Sequence, residues 1–178
     1  MKLIIGPVRL SYAHIFEPHK DLNDNLKYSA SFIIPKKQTK TVAKIKAAFK
    51  EMLADKEIVN KLGGKTQGVV LPLRDGDTDR ADDAAYADSL FLNANANPDR
   101  PPLILSYDRE EVMDKSEVYS GCWVQAALNL YPYNKNVKRG IGVGLSGIRK
   151  LRDDTPLSGG TLSANDFSDD ELDEEDLL

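Results

Sequence analysis

The sequence predicts a mainly β fold with one long helix, its sheet curled or closed into a small barrel. Three observations carry that expectation. Residues Tyr119 to Arg152 read as two long strands joined by a polar turn. Four shorter segments upstream of them have strand character, and the clearest alternate with period two. One stretch, Thr39 to Leu62, carries apolar residues at helical spacing.

Taken in order, Lys2 to Tyr12 is the first predicted strand, with Val8, Leu10 and Tyr12 on one face and Arg9 and Ser11 on the other. Pro7 makes its first half an edge or a break, since proline cannot donate to a ladder. Phe16 follows at the strand exit, before a polar loop from Lys20 to Asn25. Lys27 to Pro35 is the second strand; Tyr28 and Phe32 on its apolar face suit either stacking or core filling, and Lys36 opens a basic corner. The helix has Thr39 or Thr41 as its cap, Val42, Ile45, Phe49, Met52 and Leu53 as its stripe, and Gly63-Gly64 as its stop. Thr66 to Ala87 is irregular, with Arg74 and Arg80 near any ligand. Leu90 to Ala96 and Leu103 to Tyr107 are short strands separated by prolines, and Asp108 to Glu117 is a charged loop.

In the closing pair of strands, Cys122, Val124, Ala126, Leu128 and Leu130 alternate with Trp123, Gln125, Asn129 and Tyr131. The return strand sets Ile141, Val143 and Leu145 against Gly142, Gly144 and Ser146, a strip nearly free of side chains that admits a close approach to the backbone. Trp123, Tyr131 and Tyr133 flank the strip, and Lys135, Lys138, Arg139, Arg149, Lys150 and Arg152 lie at its ends. Flat π-faces with phosphate-seeking cations are what a groove for single-stranded nucleic acid requires.

Charge supports that reading once it is divided along the chain. All 24 Lys and Arg lie at or before Arg152, against 18 acids, so this body carries +6; the ten acids beyond it reverse the sign to the overall −4. The domain is expected over 1–157 and an acidic, flexible tail over 158–178, with Phe167, Leu177 and Leu178 as apolar anchors among Asp169, Asp170, Glu171, Asp173, Glu174, Glu175 and Asp176. The lone Cys122 rules out an internal disulfide and suits a small core filler in a reducing compartment. With no apolar run near the roughly 18 residues of a membrane span, a soluble protein of the cytoplasm is expected.

Other chemistries fit poorly. Gly142, Gly144 and Gly147 match a dinucleotide fingerprint, but no helix opens after them. Asp75, Asp77 and Asp79 resemble a calcium loop until Arg80 and Tyr86 occupy the positions that need glycine and glutamate. His14 and His19 lack partners for a metal site or a nucleophile. Neither catalysis nor a cofactor is expected, and a structural protein of a virion is the competing role.

The segments RLSYAHIFEP, KYSASFIIPK, PLRDGDTDRAD, SLFLNANANPDRPPLI, YSGCWVQAALNLYPY and GVGLSGIRKLRDDTPLSGG, in that order, resemble the single-stranded-DNA-binding proteins of tailed bacteriophages. The resemblance implies an OB-fold, a five-stranded Greek-key barrel elaborated with a helix. It implies a non-enzymatic role in phage DNA replication, recombination or repair, with replication or recombination proteins held by the acidic tail. A homodimer is left open. Trp123 departs from the pattern, where a smaller aromatic is more usual. The residues expected at the DNA are Tyr12, Phe16, Lys36, Arg74, Trp123, Tyr131, Tyr133, Lys135, Lys138, Arg139, Arg149, Lys150 and Arg152.

Overall fold

The computed structural model describes residues 1–157; the acidic tail and its anchors Phe167, Leu177 and Leu178 lie outside the described residues. Seven strands form one sheet: β1 (Lys2–Lys20), β2 (Leu26–Pro35), β3 (Arg74–Asp75), β4 (Ser89–Ala96), β5 (Leu103–Leu105), β6 (Trp123–Asn134) and β7 (Arg139–Arg152). Their order is β3-β4-β2-β1-β6-β7-β5, and a further parallel pairing of β4 with β7, Asn95 opposite Gly144, closes a ring. Five strands, β1, β2, β4, β6 and β7, therefore make a closed barrel, with β3 and β5 attached outside it. The chain visits the ring in the order first, second, third, fifth, fourth, which is the expected Greek-key arrangement.

Period-two alternation fills the interior. Val8 and Leu10 of β1, Phe32 and Ile34 of β2, Leu92 of β4, Val124, Ala126 and Leu128 of β6, and Ile141, Val143 and Leu145 of β7 are all buried in one cluster. Phe32 is thus core filler, and Tyr28 is half-buried on the same face. Cys122 is fully buried, and burial pushes its thiol pKa up.

Three elements differ from the sequence expectation. First, β1 continues past Tyr12 to Lys20, bending at irregularities between Ile5 and Val8 and between Ser11 and His14, where Tyr12 takes φ +44°. Its first half pairs with β6 alone, as the Pro7 break requires, and its second half pairs with β2. Phe16 consequently sits within a strand and packs against the core. Second, the long helix is two: α1 (Thr39–Ala54) and α2 (Lys56–Lys61), because Asp55 accepts bonds from the Glu57 and Ile58 N–H groups and starts a new helix. Neither threonine caps α1; Gln38 holds that position without a side-chain bond. Ile45, Ala48, Phe49 and Met52 form its buried stripe against the barrel. Third, the irregular segment contains β3 and a short helix, α3 (Gly76–Asp79).

That segment covers part of the barrel wall. Tyr86 packs edge-on to Phe91 with ring centroids 5.1 Å apart, and its hydroxyl lies 2.9 Å from Ser31 Oγ. The strap before β3 runs beside β7, with Val70 N–H donating to Arg139 O (2.8 Å) and Ile141 N–H donating to Val70 O (3.1 Å).

Phe32→Ala should destabilise the domain by about 3–5 kcal/mol, because the closed interior cannot collapse into the void. A urea melt followed by circular dichroism checks this; a loss under 1 kcal/mol would contradict the assignment of Phe32 to the barrel centre.

Candidate nucleic-acid interface

With inward positions committed to the core, the outward positions of four strands form a continuous groove. From β2 it takes Lys27, Ser29 and Ser31, from β4 Asn93 and Asn95, from β6 Asn129, Tyr131 and Tyr133, and from β7 Gly142, Gly144 and Ser146. Register explains the arrangement: Ser31 stands opposite Asn93, Ser29 opposite Asn95, and Asn95 opposite Gly144. The floor is a row of small hydroxyl and amide groups that both donate and accept hydrogen bonds. Lys135 and Lys138 bound one end on the β6–β7 turn. That turn is set by Asn136 at φ +64° and by Asn134 Oδ1, which accepts from the Asn136 N–H (3.1 Å).

The glycine strip is occupied at Gly142 by the protein's own Tyr131 and stays open at Gly144. Tyr131 pairs across the ladder with Gly142 and Tyr133 with Gly140, and each ring lies against its glycine. A Cβ at Gly142 would overlap the Tyr131 ring, and one at Gly140 would stand 2.6 Å from Tyr133 Oη. At Gly142 the close approach to the backbone is made by the Tyr131 ring, and at Gly140 by the Val70 carbonyl together with the Tyr133 ring. The outer faces of the two rings are what the groove offers, and Tyr131 is 39% exposed.

At the opposite end stand Tyr12 and Arg80. The Arg80 guanidinium lies 5.4 Å from the Tyr12 ring centroid, 5.8 Å from that of Tyr86 and 5.7 Å from that of Phe91. Among the described residues its buried Nε has no hydrogen-bond partner. Tyr12 is exposed, and its hydroxyl donates to Asp83 Oδ2 (3.2 Å). Slight desolvation of the hydroxyl, reinforced by the Asp83 charge, holds its pKa above the usual phenol value. His14 and His19 line the same end, stacked with centroids 4.2 Å apart and planes 8° from parallel. Burial first, and the neighbouring imidazole second, lower the His14 pKa.

The expected residues are therefore divided. Tyr12, Arg74, Tyr131, Tyr133, Lys135 and Lys138 line the groove, Arg74 while bonded to Asp79 (3.0 Å). Trp123 shares the outer face of β6 but stands eight residues from Tyr131, roughly 26 Å along a strand. Its indole N–H donates to Asp154 (2.8 Å), Arg152 stacks on its ring at 4.7 Å, and this bond chiefly lowers the Asp154 pKa. Arg149 stacks on Tyr107 at 4.9 Å and donates to its carbonyl, and Lys150 is paired with Asp153 at 2.6 Å. Lys36 pairs with Asp75 and Asp77, away from the groove. The Arg139 guanidinium donates to the carbonyls of Leu62, Lys65 and Gln67, clamping the strap. Phe16 is half-buried and packs against the core.

Sequence reasoning overlooked Lys27, Asn93, Asn95, Asn129 and the histidine pair as groove residues, whereas Arg80 is expected near a ligand from its loop. The alternating asparagines of LFLNANA were visible, but polar residues on a strand look the same whether they face solvent or a ligand. Among the described residues no three His, Cys, Asp or Glu side chains gather as metal ligands, and no helix is long and apolar enough to cross a membrane.

Comparison with known proteins points in one direction. A family model described as Enterobacter phage Enc34, ssDNA-binding protein, matches residues 1–178. A protein of Acyrthosiphon pisum secondary endosymbiont phage 1, p50, is 33% identical, the match covering 100% of this chain and 98% of that one. The fold superposes on the single-stranded DNA-binding protein of bacteriophage Enc34 solved with ssDNA (TM-score 0.74, 25% identity, 88% of this chain and 89% of that one). The single-stranded DNA-binding protein gp2.5 of bacteriophage T7 shares the fold (TM-score 0.59, 14% identity, 91% and 97% covered).

Gly142→Ala should cost about 1–3 kcal/mol of stability by driving a methyl group into the Tyr131 ring. Gly144→Ala, whose added carbon meets nothing nearer than Asn129 O at 3.4 Å, should be neutral within about 0.5 kcal/mol. Thermal melts of the two variants check this, and equal effects would contradict the ring-on-glycine packing.

Proposed function

The chain belongs to the family of the Enterobacter phage Enc34 ssDNA-binding protein, and we propose that it coats and protects single-stranded DNA in the groove just described. The observation that carries this reading is the pair of tyrosine rings held against glycines in the groove wall, continuous with a floor of asparagine and serine. Bases stack on Tyr131 and Tyr133 at one end and on Tyr12 at the other, each contact contributing roughly 1–3 kcal/mol. Lys27, Lys135, Lys138 and Arg80 neutralise phosphates, and the Arg80 fork presents its donors with an orientation fixed by the three surrounding rings. Stacking is indifferent to base identity, so sequence preference is weak.

The role is non-enzymatic and belongs to phage DNA replication, recombination or repair in the host cytoplasm. The acidic segment 158–178 competes with DNA for the cationic groove and, once displaced, recruits replication or recombination proteins through its apolar residues.

Oligo-dT should bind with an affinity that falls with salt, the log–log slope being near −3 for about four phosphate contacts, while duplex of equal length binds far more weakly. Tyr131→Ala should cost about tenfold or more in affinity. Salt-independent or absent binding together with a fixed large oligomer would favour a structural role in the virion. Deleting residues 164–178 should tighten oligo-dT binding at low salt, as filter binding would show; unchanged or weaker binding would remove the competitor role of the tail.

A further inference from the structure

A second concavity adjoins the groove. Phe49 and Leu53 of α1 and Leu71 and Leu73 of the strap line it, and Lys46 and Lys50 stand exposed at its rim. Leu71 is the wall between the two: one side faces the groove near Tyr131 and Lys138, the other faces this pocket, and its side chain remains 41% exposed. An apolar hollow rimmed by two ammonium groups is matched to an apolar side chain flanked by carboxylates.

The chain carries such a segment. Residues 158–178 contain Phe167 followed closely by Asp169, Asp170 and Glu171. The body ends on the same side of the barrel. Leu157 packs against the cluster of Ile33, Tyr86 and Phe91, and Phe91 lies beneath the guanidinium of Arg74, the residue after Leu73. Phe167 is ten residues beyond Leu157, a reach of up to about 33 Å in extended chain.

We propose that Phe167 seats in this pocket and thereby lays Asp169, Asp170 and Glu171 across Leu71 onto the Lys135–Lys138 end of the groove. The proposal rests on the reading of the tail as a competitor of DNA and adds its anchor: affinity between tail and body comes from one aromatic side chain as well as from charge.

The test uses the full chain and oligo-dT at one low salt concentration. Phe167→Ser retains every carboxylate yet should tighten oligo-dT binding about threefold or more. Lys46→Glu with Lys50→Glu should tighten it by a similar factor, although removal of two cations would by itself weaken binding to a polyanion. Combining the three substitutions should add little beyond either set alone. In a chain lacking 164–178 the lysine substitutions should give no tightening. If deletion itself fails to tighten binding, the competitor reading falls. If deletion tightens binding but Phe167→Ser and the lysine pair do not, the tail acts by charge alone and only this proposal is overturned. Contact is read separately by Ala54→Cys at the pocket edge with Ser168→Cys, which leaves Phe167 and Leu71 in place, the native Cys122 being buried. A disulfide within one chain that diminishes when oligo-dT is present is expected. A disulfide between chains would seat the tail of a second copy there, and no disulfide would leave the pocket without its proposed occupant; either result overturns the proposal.

Discussion

A five-stranded barrel has an interior with room for side chains and nothing else. Every inward residue of β1, β2, β4, β6 and β7 is thereby committed to core packing, with Val8, Leu10, Phe32, Leu92, Val124 and Leu128 fully buried at the centre. Whatever the molecule recognises must meet the outside of its wall. The outward positions are correspondingly diverse: serine and asparagine on β2 and β4, tyrosine on β6, and glycine on β7.

The outer wall is then specialised by what covers it. Near Ile33 and Phe91 it is sealed by Tyr86 and the segment around α3. Towards Trp123 it is closed by mutual contacts of Arg152, Asp154, Arg149 and Tyr107. Between these two covers the wall stays open, and there the rings and amides collect. Cations divide in the same way. Lys36, Arg139, Arg149 and Lys150 are bound to carboxylates or carbonyls of the protein, whereas Lys135 and Lys138 have no such partner among the described residues. Counting basic residues near a groove overstates the positive potential available to a ligand, because many of them serve the fold.

The strands were legible because inward alternation is a direct imprint of the closed core, and the stripe of α1 was legible for the same reason. The break at Asp55 was not, since a capping aspartate inside an otherwise helical pattern reads as one more surface acid until its bonds to Glu57 and Ile58 are seen. Tyr131, Tyr133, Lys135 and Lys138 could be placed from β6, β7 and their turn alone. Asn93 and Asn95 could not, because their place beside Tyr131 depends on β4 meeting β7, a pairing between segments nearly fifty residues apart. Trp123 illustrates the converse: correct facing along β6 says nothing about which neighbours cap the ring, and Arg152 and Asp154 do so here.

The pairing that closes the ring is also its thinnest joint. β4 and β7 meet at a single residue pair, while the other neighbours in the ring are matched over six or more positions. The groove runs directly across this joint, with Asn95 on one bank and Gly144 and Tyr131 on the other. A polymer lying in it is a suture. Bound across the two edges that the backbone itself joins least, it would favour the closed barrel at its seam by mass action.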